Sequence, residues 1–311
     1  MKRLILAITL TGCLSVIMKA QDESQFRHYL LSPILVNPGY TGFEDHHSLI
    51  LNYNNQWADF SDDGGSPKTA TAIYNGPVSD RIGLGAMVRS DNAGSLVRTQ
   101  TQLSYGFKFI LNELDLSLGL STTFEQSRLK GTALLDPRID IQDPVLLDAT
   151  GGLKLFDAAF GVHGKTEEFF FGLAAPNLIR ARVNQDPQVD TEPTSGLLKY
   201  YLAYAGYKWA VEENNFYVEP SIMVRNLRYS PFMVDFNAKV NFFEDQLVGG
   251  LTYSVGGGNR FSILLGTELT NFMVYYSYTT SFQASQSYHS GAHEVSIAFE
   301  FGSRKSKLED Q

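Results

Sequence analysis

Val97-Arg98-Thr99-Gln100-Thr101-Gln102-Leu103-Ser104-Tyr105-Gly106-Phe107-Lys108-Phe109 alternates between two chemical faces. Val97, Thr99, Thr101, Leu103, Tyr105, Phe107 and Phe109 form a greasy face ending in aromatics. Arg98, Gln100, Gln102, Ser104, Gly106 and Lys108 form the other. Successive side chains on a strand point to opposite sides of the sheet, so this is one long strand with an apolar and a polar face. It exceeds the roughly 9–11 residues a strand needs to cross a bilayer.

The same pattern recurs on both sides of this stretch. Leu114, Leu116, Leu118 and Leu120 alternate with Asp115, Ser117, Gly119 and Ser121; Ile82, Leu84, Ala86 and Val88 alternate with Gly83, Gly85, Met87 and Arg89. Val234, Phe236, Ala238, Val240 and Phe242 alternate with Asp235, Asn237, Lys239 and Asn241. His293, Val295, Ile297, Phe299 and Phe301 alternate with Glu294, Ser296, Ala298 and Glu300. Read throughout, the chain predicts strands near 48–57, 68–75, 81–90, 97–109, 113–126, 153–163 and 168–175, then near 198–209, 216–225, 233–243, 247–255, 260–268, 272–280 and 292–301. That is about fourteen, an even number as in single-chain outer-membrane barrels.

Strands in lipid must pair every backbone group, so they span only as a closed barrel. The expected fold is therefore an all-β, transmembrane, antiparallel up-and-down barrel of about fourteen strands. The strand ending near Phe301 should pair with the strand at 48–57. A soluble sandwich or lipocalin-like barrel also alternates, but would bury the apolar face. Lumen-facing charges of both signs (Arg89, Arg98, Lys108, Asp115, Glu125, Asp157, Glu219, Arg225, Asp235, Lys239, Glu268) point to inter-strand ion pairs and a plugged or narrow interior.

The chain opens as an export signal. Lys2 and Arg3 precede an apolar run from Leu4, and Met18-Lys19-Ala20 offers cleavage before Gln21. Leu10-Thr11-Gly12-Cys13 gives a rival reading, lipidation at Cys13. Cleavage at Ala20 leaves 22 Lys and Arg against 33 Asp and Glu, a net charge of −11, and no cysteine. Acidic balance argues against nucleic-acid partners. Without cysteine there is no disulfide, zinc-thiolate site or thiol nucleophile. The expected layout is signal peptide 1–20, plug or periplasmic segment 21–45, barrel 46–302 and disordered tail 303–311. Residues 127–150 and 176–196, rich in Pro and Asp, read as long loops, assigned to the extracellular side.

Catalytic and metal constellations are absent from the pattern. Gly256-Gly257-Gly258-Asn259 joins two strands and reads as a hairpin rather than a phosphate loop. His46-His47 read as a solvated turn. Ser290, His293 and Glu294 share one short segment, and His293 and Glu294 face opposite ways, so they build no hydrolase triad. No enzyme activity, cofactor or metal is expected.

Before the first strand come Gln25-Phe26-Arg27-His28-Tyr29, Ser32-Pro33 and Asn37-Pro38-Gly39-Tyr40-Thr41-Gly42; further on come Gln56-Trp57, Gly65-Ser66-Pro67, Gly83-Leu84-Gly85 with Ser90-Asp91-Asn92-Ala93-Gly94, and Gly291-Ala292-His293-Glu294-Val295. This series resembles the PorP/SprF family of the type IX secretion system. It departs from the family pattern at Ser32, Gly39, Thr41 and Asn54. The resemblance implies a non-enzymatic outer-membrane component of protein secretion and gliding machinery. Its expected partners are membrane lipid and either type IX components or a secreted surface adhesin; the departures lean toward an accessory paralogue. Pro33 and Pro38 keep the N-terminal segment out of the sheet, Gly39 and Gly42 permit positive φ, and Tyr29 and Tyr40 are interface-type anchors. Tyr29, Asn37, Pro38, Gly39, Tyr40 and Gly42 are therefore the expected partner-binding residues. A transport barrel for a small or hydrophobic solute is the alternative. An open lumen would favour transport; closure by residues 21–45 would favour secretion.

Overall fold

In the computed structural model, the chain is described at residues 26–59, 66–130, 152–183, 199–211, 216–228, 230–243, 246–283 and 290–302. The expected export signal, the expected tail from 303 and most of both expected long loops lie outside these residues.

Sixteen strand segments form one antiparallel sheet: β1 (His47–Asn55), β2 (Lys68–Pro77), β3 (Ile82–Ala93), β4 (Leu96–Leu111), β5 (Leu114–Leu129), β6 (Leu153–Lys165), β7 (Phe169–Ala175), β8 (Ala181–Arg182), β9 (Tyr201–Tyr207), β10 (Trp209–Val211), β11 (Phe216–Asn226), β12 (Met233–Phe242), β13 (Leu247–Val255), β14 (Arg260–Leu269), β15 (Phe272–Ser281) and β16 (Ala292–Phe301). β8 is a two-residue ribbon on β6. β10 continues β9 in one register, from Gly206 opposite Ser221 to Trp209 opposite Val218. The interruption at Lys208 falls where Pro220, with no N–H for the ladder, comes opposite Tyr207. The wall therefore has fourteen strand positions.

Closure is as the sequence predicts. β16 pairs with β1 from His47 opposite Phe301 to Asn55 opposite His293, and β9 joins β7 to β11. Among the described residues no sheet edge is left open along the ring, which removes the unpaired groups that would be costly in lipid. The strand phase also matches. Leu103 is 62% exposed on the outer face, whereas Asp235 and its neighbour Phe236 split at 0% and 51%. Among the described residues no helix is long and apolar enough to cross a membrane.

Two boundaries differ from the expectation. β5 runs to Leu129, so its loop begins later than 127; with β4 it forms a hairpin of two 16-residue strands turning at 112–113. The expected loop 176–196 contains β8, because Asn177 and Arg180 take positive φ and turn the chain back onto β6. Connections at one barrel end are tight, at 78–81, 112–113, 166–168, 243–246 and 270–271. The long connections lie at the other end.

The interior is less polar than expected. Ile50, Ile73, Met87 and Ala298 point inward and pack around Phe26, Ile34 and Leu35; Leu202, Tyr204 and Met223 pack around Tyr29. These inward apolar positions have partners because the N-terminal segment lies inside the barrel.

Candidate functional site

Residues 26–46 fold as three single 3-10 turns, His28–Leu30, Pro33–Leu35 and Pro38–Tyr40, and fill the lumen. Pro33 and Pro38 each open a turn, where a missing N–H costs nothing. The segment cannot extend the sheet and has no helix long enough to stand alone, so the barrel wall holds it.

Its first anchor is ionic. The Arg27 backbone N–H donates to Glu294 at 2.8 Å, and its guanidinium donates to Ser254 Oγ at 2.8 Å and Asp235 at 3.4 Å. Arg225 meets the other Asp235 oxygen at 2.9 Å. Asp235 is fully buried, so it stays charged only because two guanidiniums face it. Tyr29 donates toward Asp235 and Asn237 at 3.3 and 3.2 Å. Burial, then Asp235, holds its phenol well above the ordinary range. His28 Nδ1 lies 2.6 Å from Ser296 Oγ and 3.7 Å from Glu294; burial lowers its pKa despite that carboxylate.

The second anchor is steric. Gly83, Gly106, Gly119 and Gly161 stand side by side across β3, β4, β5 and β6 and face inward. A Cβ at Gly119 would strike the Pro38 carbonyl, one at Gly161 the Asn37 side chain, one at Gly106 the Thr41 carbonyl, and one at Gly83 the Gly42 Cα. The four bare backbones form a track into which residues 37–42 press. Asn37 caps the third turn, its Oδ1 accepting from Gly39 N–H at 2.8 Å. Its Nδ2 donates to the Val162 carbonyl at 2.9 Å and Tyr204 Oη at 3.1 Å. Gly42 adopts φ +60° and donates its N–H to Asn75 Oδ1 at 2.7 Å.

The third anchor closes the tight-turn end. Tyr40 stacks on Phe43, and both rings meet His163 edge-on. Tyr40 donates to Glu44 at 3.0 Å, and Lys165 reaches Glu44 at 3.2 Å. Burial alone would raise the Glu44 pKa; Lys165 and Tyr40 outweigh it and lower it. His46 bonds Glu300 at 2.9 Å, which raises its pKa against the smaller effect of burial.

Thus Tyr29, Asn37, Pro38, Gly39, Tyr40 and Gly42 all belong to one element, and their contacts here are with the barrel wall. The ion pairs expected in the lumen include Lys239–Glu219 at 2.6 Å and Arg98–Glu125 at 3.4 Å. His293 points outward to Tyr276 while Glu294 points inward, as their adjacency requires. Sequence reading missed Glu294 as an anchor, together with its Asn52 donor at 2.7 Å and the glycine track. The Gly-Ala-His-Glu block was the available signal for Glu294. Among the described residues no three His, Cys, Asp or Glu groups gather to hold a metal.

Above the plug, toward the long-loop end, lies a cavity of about 540 Å³. Phe26, Leu35 and Val36 of the plug border it below.

Similarity to solved structures reaches a monoaromatic hydrocarbon channel, CymD, with TM-score 0.50, 11% identity, and coverage of 86% of this chain and 91% of that one. The Acinetobacter baumannii outer membrane protein Omp33 gives 0.45 at 9% identity, covering 84% and 99%. At such identity the CymD likeness speaks for the barrel fold alone. No curated protein matches the chain. A family model described as type IX secretion system membrane protein PorP/SprF matches residues 18–299. With nearly the whole barrel and its plug inside that match, the chain belongs to the PorP/SprF family of type IX secretion system outer-membrane proteins.

Proposed function

We propose that this barrel is a non-enzymatic outer-membrane component of type IX secretion and gliding machinery that assists export or surface attachment of a secreted adhesin. The observation that carries the reading is the closed lumen. Residues 26–46 are fastened by buried ion pairs, a glycine track and an aromatic clasp, which leaves the barrel as a scaffold rather than a conduit. The exposed bands of Leu, Phe and Tyr on the outer face suit lipid. Outer-membrane barrels keep short turns in the periplasm. The tight-turn end, where Glu44 and Asp45 emerge, is then the periplasmic face toward the machinery. Tyr29, Asn37, Pro38, Gly39, Tyr40 and Gly42 act by fixing the plug, and through it that face, in shape for a protein partner.

Mild detergent extraction of the tagged, full-length protein tests this through the proteins that co-purify. Type IX components or one surface adhesin should be retained. Tyr40→Ala and Gly42→Val should each leave the barrel heat-modifiable on gels while reducing adhesin display or gliding. Normal display in both variants would overturn the role given to the plug.

A further inference from the structure

We infer that the cavity above the plug is a binding site for a small amphipathic carboxylate. The inference does not rest on the secretion reading. At about 540 Å³ the cavity has the size of a small-molecule site. It divides chemically into two parts. One part is apolar: Phe26, Leu35, Val36, Met87, Leu155 and Leu202. The other carries Lys68, Arg89, Arg98, Arg180, Arg225 and Arg228 against only Asp91, Glu125 and Asp157.

Each acidic group already has partners. Glu125 meets Arg98 at 3.4 Å and Arg180 at 3.7 Å and accepts from Gln100 at 2.8 Å. Asp157 accepts from Asn177 at 2.5 Å and from the Arg180 backbone. Asp91 accepts from Thr69 at 2.7 Å. Arg225 is matched by Asp235 from beneath. Arg89 stands in no ion pair among the described residues. It is 7% exposed, it lines the cavity, and its buried Nε has no hydrogen-bond partner among those residues. Its guanidinium lies 4.4 Å from the Phe26 ring centroid. A buried guanidinium beside an aromatic ring keeps its in-plane N–H donors available, and carboxylate is the planar acceptor that fits them. The apolar part alongside takes the rest of the ligand. An inorganic anion would leave that part unused, and a neutral apolar molecule would leave Arg89 unsatisfied.

The test uses the full-length protein in nanodiscs, titrated with 4-phenylbutanoate by calorimetry, with empty nanodiscs as background. The alcohol 4-phenylbutanol and inorganic phosphate serve as comparison probes. 4-phenylbutanoate should bind saturably, at least ten-fold tighter than either comparison probe. Arg89→Gln should weaken it at least ten-fold, and Arg89→Lys less. Glu125→Gln removes a competing carboxylate and should tighten binding. Equal binding of the alcohol would make this an apolar pocket only, and equal binding of phosphate an anion site only; each overturns the proposal. So does absence of saturable binding. Weakening by Glu125→Gln as well as Arg89→Gln, with both barrels still heat-modifiable, assigns these residues to packing and also overturns it.

Discussion

Gly119 and Gly161 are positions where one methyl group decides whether the plug can seat. A Cβ at Gly119 collides with the Pro38 backbone carbonyl, and one at Gly161 with the Asn37 side chain, which the Gly39 N–H holds in place and behind which Gly39 N itself lies in the way. Overpacking of this kind costs about 1–3 kcal/mol. Gly119→Val should therefore leave the barrel heat-modifiable while making residues 26–46 sensitive to added protease; a resistant plug in this variant would show that the track does not position it. Asp235 decides the other end. Asp235→Ala leaves Arg27 and Arg225 facing one another without a counter-charge, and losing one partner of a buried pair costs about 3–5 kcal/mol. Thermal unfolding should show that loss, with Asp235→Asn falling between. The pairing of Asp235 with Arg225 was legible as lumen charges of opposite sign on neighbouring strands; the contribution of Arg27 and the glycine track were not. Each glycine alone reads as a weak point in a strand. Only the registers of β3 to β6 bring the four into one row.

The strands were legible because each has two environments, and a period of two follows from them directly. All fourteen wall strands lie within a few residues of the sequence expectation, and the closing pair β16–β1 forms as expected. The plug was legible only by exclusion. Pro33 and Pro38 rule out a strand, but nothing local says that the segment turns into the lumen. The clue is nonlocal: inward Ile50, Ile73, Val248 and Leu264 break the polar rule of a water-filled interior. The plug also carries histidines whose pKa values are shifted in opposite directions. Burial lowers His28 from its ordinary 6.5. Between its folded and unfolded values the unfolded chain binds more protons, so stability at this end falls as pH drops below about 6.5. His46 is raised by Glu300. Its contribution is full below its ordinary value and is lost as pH rises through the raised one. Hydrogen exchange, corrected for intrinsic rates, should show residues 26–30 losing protection as pH falls from 7.5 to 5. Unchanged protection there would contradict this assignment.

The barrel as a whole combines an apolar exterior, a closed sheet and a filled lumen. Each strand contributes to the first two, so a charge on the outer face should be costly wherever it meets lipid. Leu118 shares the outward phase of Leu120. Leu118→Arg should cost roughly 2–4 kcal/mol near the bilayer midplane, measured by folding into lipid vesicles; a neutral result would place β5 in the wrong phase. The family was legible at this scale because its motifs fall at the plug and at two strands that hold it, β3 through Gly83 and β16 through Glu294. The central claim is that the barrel is shut by its own residues 26–46, and conductance across a planar bilayer tests it most directly. The wild-type chain should show no steady solute-sized conductance, and the Asp235→Ala, Glu294→Gln double variant, which releases the ionic anchor, should open to stable steps. A wild-type barrel that conducts steadily, unchanged by releasing the anchor, would contradict the account.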